Sequence, residues 1–232
     1  MIRVSVREMR KRAAQAALEL VLDGMVLGLG SGSTAEIFTR LLADRVAEEA
    51  LDIIVVPTSA GIERVALDLG LQVSSLNEYP EPDLAVDGAD AVDKDLNLVK
   101  GGGACLAREK AVDYAAKRFV VIVDERKLVS RLFEVPVPVE VMPCAWRAAE
   151  QVLRRFGTPR LRLSSQGKYG PIVTDNGNFV IDLEVSADVP PTELEIELNA
   201  VPGVVENGIF SRRRPDEVIV GTPTGTKRLK PT

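Results

Sequence analysis

Four runs of the chain, "MVLGLG" (25–30), "LDIIVVP" (51–57), "LAVD" (84–87) and "FVVIVDE" (119–125), are apolar almost throughout, and segments of helical periodicity separate them. A strand with one wet face alternates polar and apolar residues, whereas a strand apolar throughout is covered on both faces. Buried strands separated by helices pair in parallel, because each crossover lays a helix on the sheet. The chain is therefore expected to be α/β, with a mostly parallel sheet between helical layers.

The texture changes after about residue 133. "FEVPVPVEVMP" is punctuated by proline, and "AWRAAEQVLRRFG" reads as a helix and "PRLRLS" as a strand. "QGKYGPIVTDNGNFVIDLEV" reads as a hairpin turning at Asn176-Gly177. A helix around "TELEIELNAVPG" and a strand "VVENGIF" follow. The order β-α-β-β-α-β predicts a small split-βαβ unit. "DEVIVGTP" returns to the buried-strand pattern and could rejoin the first sheet. The expected organisation is a larger α/β domain over 1–132 plus 209–232, with a small α+β domain over 133–208.

The chain has 232 residues, enough for a sizeable core at 46% hydrophobic content. A net charge of −5 gives no reason to expect nucleic acid. No apolar stretch reaches the length of a membrane span. The N-terminus lacks the apolar core and small-residue cleavage site of a signal peptide, so a cytoplasmic location is expected. Cys105 and Cys144 stand far apart without metal-ligand spacing and are expected as buried thiols. There is no histidine. That excludes Ser-His-Asp and Cys-His arrangements and the HExxH zinc site. A proton moved near neutral pH must be carried by a carboxylate, lysine, tyrosine or cysteine.

Three constellations sit at strand ends. "GLGSGSTA" (28–35) aims backbone N–H groups and a helix dipole at one point, which suits a phosphate. It is neither the dinucleotide fingerprint, which needs glycine where Ser33 stands, nor a P-loop, which needs Gly-Lys-Ser/Thr. The plainer alternative is a tight turn with Ser33 or Thr34 as an ordinary N-cap. "DGADAVDKDLN" (87–97) packs four aspartates, but the EF-hand positions for glycine and glutamate hold Leu98 and Ala104. Asp87 and Asp90 follow the apolar run directly, so they are expected at the carboxyl end of a buried strand, where open α/β sheets hold ligands. "VKGGGACLAREK" (99–110) places three glycines where an anion nest could form, with Lys100 before them and Glu109 in the second turn of the helix after them.

These motifs, together with "VVIVDERKLV", "VPVEVMP", "VTDNGNFVIDL", "AVPGVVENGIF" and "VIVGTPTG", resemble those of ribose-5-phosphate isomerase type A in order and spacing, from about residue 20 to 226. Ser31 stands where relatives often carry threonine, and keeps the hydroxyl. The resemblance implies a Rossmann-like domain with an inserted ferredoxin-like domain used in oligomer contacts, as a homodimer or homotetramer. It implies interconversion of ribose 5-phosphate and ribulose 5-phosphate through an enediolate, in the non-oxidative pentose phosphate pathway, without metal or other cofactor. Carried over by position, Glu109 is the base, with Asp87, Asp90 and Lys100 as further catalytic groups. Ser31, Gly32, Ser33, Thr34, Asp87, Gly88, Ala89, Asp90, Lys100, Gly101, Gly102, Gly103 and Lys127 bind the sugar phosphate. Which aspartate opens the ring, and which glycine turn holds the phosphate, stay open at this point. A non-catalytic sugar-phosphate sensor would need a DNA-binding segment before the first strand, where only one helix fits.

Overall fold

The structure, a computed structural model, describes residues 4–231 apart from 166 and 168; Met1, Ile2, Arg3, Gln166, Lys168 and Thr232 lie outside the described residues, and with them the opening of the expected hairpin. The first elements along the chain are α1 (Val6–Leu18), β1 (Val26–Leu29), α2 (Ser33–Glu49), β2 (Ile54–Pro57), α3 (Ala60–Asp68), β3 (Gln72–Val73), β4 (Leu84–Asp87), β5 (Ala91–Val92), β6 (Leu98–Val99), α4 (Leu106–Ala115) and β7 (Arg118–Asp124). There follow β8 (Val137–Val141), α5 (Trp146–Leu153), β9 (Gly157–Leu161), β10 (Phe179–Val185), α6 (Pro191–Asn199), β11 (Val204–Asn207), β12 (Ile209–Phe210), β13 (Glu217–Thr222) and β14 (Gly225–Leu229). The chain divides into two compact units, one of residues 1–89, 108–127 and 215–232, the other of 90–107 and 128–214.

In the first unit a seven-stranded sheet runs β14-β13-β7-β4-β1-β2-β3, parallel throughout except for the β13–β14 hairpin at its edge. The segment "DEVIVGTP" does rejoin this sheet, as β13 beside β7. Strand alternation sorts the two faces. Leu27, Leu29, Leu84, Val86, Val120, Ile122 and Ile219 share one apolar cluster with residues of α1, α2 and α3. Gly28 and its register partner Ala85 point the other way, and Val112 of α4 lies over Gly28. A Cβ at Gly28 would lie 2.6 Å from the Val112 side chain, so the bare backbone is what lets α4 seat this closely. Sequence order reverses between β1 and β4: one crossover leads outward to β2, the chain then returns to β4 on the other side. Such a switch point opens a crevice at the carboxyl ends of the two strands.

In the second unit an antiparallel four-stranded sheet has the order β11-β8-β10-β9, with α5 and α6 as its crossover helices. Its core joins Val137, Val139, Val141, Ile181 and Leu183 to Ala149, Leu153, Leu194 and Leu198 of the helices. A smaller sheet, β12-β6-β5, lies in the same unit.

Two expected elements differ. The run "VVENGIF" is not one strand: it breaks at Gly208 into β11 and β12, which belong to different sheets. There the Gly208 N–H donates to the Pro138 carbonyl and its own carbonyl accepts from Lys100 N–H. The turn at Asn176-Gly177 forms, but β10 after it pairs with β8 and β9, and among the described residues the segment before it forms no strand beyond an isolated bridge, Leu163 with Pro171. Cys144 is exposed and Cys105 partly so, rather than buried, and neither forms a disulfide. Among the described residues no helix is long and apolar enough to cross a membrane.

Candidate active site

The first unit gathers its candidate residues at the β1/β4 switch point. Gly30 and Asp87 continue the face on which Gly28 and Ala85 meet α4, two residues further along each strand. A side chain at Gly30 would place its Cβ 2.0 Å from Asp87 Oδ1, so glycine is required there. Asp87 is fully buried, and its Oδ1 accepts from the N–H groups of Ser31 (3.1 Å) and Gly88 (2.6 Å). The Ser31 hydroxyl meets those of Thr58 (2.8 Å) and Ser59 (2.7 Å) at the end of β2. Three successive strand ends are thereby tied by short polar contacts.

Gly32 (φ 95°) is the N-cap of α2, with no side-chain capping bond, so neither Ser33 nor Thr34 caps the helix. The Ser33 hydroxyl is instead reached by Arg10 of α1, whose Nη1 donates to it at 2.8 Å. A helix start carries unpaired N–H groups and roughly half a positive charge. Here that start is solvent-exposed and lies beside a guanidinium, a combination that favours an anion. Arg10 is itself held by Asp124 at the end of β7, through Nε at 3.0 Å, and Arg126 holds the other carboxylate oxygen at 2.7 Å. Burial pushes the Asp124 carboxyl up, but the Arg126 and Arg10 guanidiniums outweigh it and hold the group below the usual carboxylate range. Lys127 follows in the single-turn helix 125–127.

Glu109 is in the first turn of α4, not the second, because the helix begins only at Leu106. It is 5% exposed. Val112, three residues on and on the same helix face, packs over Gly28. Glu109 is therefore carried on the face of α4 that meets β1 and β4, the face of the sheet that also bears Asp87.

The remaining candidate residues lie in the second unit. Asp90 N–H donates to the Val99 carbonyl at the start of β5, and Asp90 Oδ2 accepts the Gly102 N–H at 2.7 Å. Lys100, 2% exposed, directly follows β6, and its Nζ lies 5.5 Å from the centre of the Phe210 ring. The Gly101–Gly103 turn closes with Ala104 N–H donating to the Gly101 carbonyl. The rest of the acidic segment forms a local turn. Asp93 Oδ1 accepts from the N–H groups of Asp95 (2.9 Å) and Asn97 (2.8 Å), and its Oδ2 accepts from the Asn97 amide (2.8 Å). No group of three or more Asp, Glu, Cys or His among the described residues is disposed to hold a metal ion.

The structure thus joins Ser31, Asp87 and Gly88 directly, places Gly32, Ser33 and Thr34 at the exposed start of α2, and joins Asp90 to Gly102. Ala89 closes the first unit before Asp90 opens the second. Arg10 and its anchor Asp124 are absent from the sequence reading. In sequence Arg10 is one of several basic residues on an amphipathic helix, 114 positions from its partner, and nothing local sets it apart.

The ribose 5-phosphate isomerase A (phosphoriboisomerase A) family profile matches residues 54–225. Ribose-5-phosphate isomerase A of Thermococcus kodakarensis is 48% identical over 230 residues, covering 98% of this chain and 100% of that protein. The solved ribose 5-phosphate isomerase A of Methanocaldococcus jannaschii superposes with a TM-score of 0.93 at 46% identity, over 97% of this chain and 100% of that one. A second solved ribose-5-phosphate isomerase, in complex with phospho-erythronic acid, superposes with a TM-score of 0.94 at 46% identity, over 98% and 100%. Fold, motifs and near full-length identity agree: the chain belongs to the ribose 5-phosphate isomerase A family, a family of sugar-phosphate isomerases.

Proposed function

We propose that this enzyme interconverts D-ribose 5-phosphate and D-ribulose 5-phosphate through an enediolate, with Glu109 as the proton carrier. The observation that carries the reading is a buried glutamate, on the sheet face that bears Asp87, in a chain without histidine. A solved relative binds phospho-erythronic acid, a sugar-acid phosphate, which supports this ligand class.

The phosphate docks at the start of α2, on the N–H groups there and on Arg10, with Lys127 as a further cationic contact. Asp87 or Asp90 takes the O1 hydroxyl proton as the C1–O4 bond of the furanose breaks, and returns it to O4. Glu109 removes the proton from C2 of the open aldose while charge develops on O1, where Lys100 and the glycine-turn N–H groups meet it. A proton passes from O2 to O1, and Glu109 returns its proton to C1, giving the ketose.

Conversion in D2O tests the route. An enediolate places solvent deuterium at C1 of ribulose 5-phosphate and C2 of ribose 5-phosphate, and a chelator leaves turnover unchanged. Product that stays free of deuterium over many turnovers would mean an internal hydride shift and overturn the reading. For the phosphate assignment, Arg10→Ala is expected to raise KM roughly 10–100-fold, the worth of a charge-assisted hydrogen bond of about 1.5–3 kcal/mol, with kcat changed far less. A KM within twofold of wild type would move the phosphate elsewhere.

A further inference from the structure

Within the second unit, Arg162 follows β9 and reaches the glycine turn. Its Nη1 donates to the carbonyls of both Gly101 (3.0 Å) and Gly102 (3.1 Å). Its other edge is held by Asp182 of β10, through Nε to Oδ2 at 2.8 Å and Nη2 to Oδ1. The backbone of Arg162 is fixed as well: its N–H donates to Val180 (2.8 Å) and its carbonyl accepts from Ile172 (3.0 Å). The side chain is only 14% exposed. This is a fork-shaped ion pair whose free donor grips a loop, not a solvated strand-face arginine.

A trans peptide points its C=O and the following N–H in opposite directions. Two successive carbonyls turned toward Arg162 therefore turn the N–H groups of Gly102 and Gly103 away from it. The first of these meets Asp90 Oδ2. Two adjacent N–H groups on one side of a turn form an anion nest. The turn has little other freedom, because Gly101 sits at φ 99° and a Cβ on Gly102 would lie 2.9 Å from Asp90 Oδ1.

We propose that Arg162, anchored by Asp182, is a positioning residue for the isomerisation: it sets the orientation of the Gly102 and Gly103 N–H groups and, through Gly102, of Asp90. The proposal rests on the reading that this turn faces the reacting carbons, while the phosphate lies at α2. It touches no substrate itself, so its loss acts on transition-state geometry more than on binding.

Steady-state kinetics of Arg162→Ala, Arg162→Lys and Asp182→Asn test it, with inhibition by phospho-erythronic acid and by inorganic phosphate measured on each. Phospho-erythronic acid carries a planar carboxylate where the enediolate carries its charge, so it reports on the turn; inorganic phosphate reports on α2. Arg162→Ala is expected to lose roughly 10–100-fold in kcat, the scale of a displaced reacting group, with KM changed less than about threefold. Inhibition by phospho-erythronic acid weakens in step, and inhibition by inorganic phosphate does not. Arg162→Lys, which cannot fork onto Asp182 and both carbonyls, and Asp182→Asn fall between, and they read the same outcome if Arg162→Ala does not fold. Unchanged kcat in the folded variants overturns the proposal, as does an equal weakening of both inhibitors. Glu109→Gln assayed alongside separates the two levels. If it stays active, the reading of the site fails; if it is dead while the Arg162 variants turn over normally, only the positioning role fails.

Discussion

Glu109→Gln is expected to lower kcat about 10²–10⁴-fold, the usual contribution of a positioned general base. The substitution is nearly isosteric and keeps one oxygen acceptor, so packing around the first turn of α4 is preserved. It removes the ability to hold a proton together with the negative charge. Exchanging a buried carboxylate for a neutral amide also lowers the desolvation cost of that position, so the variant stays folded. KM and inhibition by inorganic phosphate are expected to change little, because the variant leaves in place the groups at the start of α2 where the phosphate is proposed to dock. No histidine exists to take over the task. Steady-state assay in both directions, with solvent-deuterium exchange as a second readout, measures the loss. Turnover within a few-fold of wild type would remove Glu109 from the chemistry.

The parts of this molecule that were legible in its sequence are those set by local pattern. β4, β7 and β13 are buried along almost their whole length, and each is built around an apolar run: "LAV", "FVVIV" and "VIV". Strand ends could be recognised because glycine and aspartate interrupt those runs abruptly. The illegible parts are set by contacts distant in sequence. Ser33 looks like an N-cap, but Gly32 takes that position and Arg10 takes the Ser33 hydroxyl. "VVENGIF" has the composition of one strand, yet Gly208 must bond to Pro138 and Lys100 in two directions, and the chain changes sheets there. In "PRLRLS" Arg160 and Arg162 occupy equivalent alternating positions. The first pairs loosely with Glu184 at 3.5 Å with both side chains more than half exposed, and the second grips Asp182 and the glycine turn. Alternation alone cannot separate a solvated arginine from one that holds a loop.

Lys100→Met is expected to cost about 10²–10³-fold in kcat, the range found when one preorganised donor to a developing oxyanion is removed. Methionine fills a similar volume with an unbranched apolar chain, so the buried position loses its charge without gaining a cavity. The backbone support is unaffected: β6 stays paired with β12, and the residue 100 N–H still donates to Gly208. Burial is what makes the effect large. At 2% exposure the Lys100 ammonium is shielded from water, so its field on a nearby oxyanion is screened far less than that of a surface lysine. In the proposed enediolate full negative charge stands where the open aldose carries a neutral carbonyl. The interaction is therefore stronger in the transition state, and kcat falls more than KM rises. Lys100→Arg does not restore the rate, because a planar guanidinium cannot occupy the space of a compact ammonium beside the Phe210 ring without displacing it. The measurement is kcat and KM for ribose 5-phosphate, together with inhibition by phospho-erythronic acid, which weakens in parallel with kcat. A methionine variant with turnover within a few-fold of wild type would leave the developing charge to the glycine-turn N–H groups, and Lys100 would then be a structural lysine held beside Phe210.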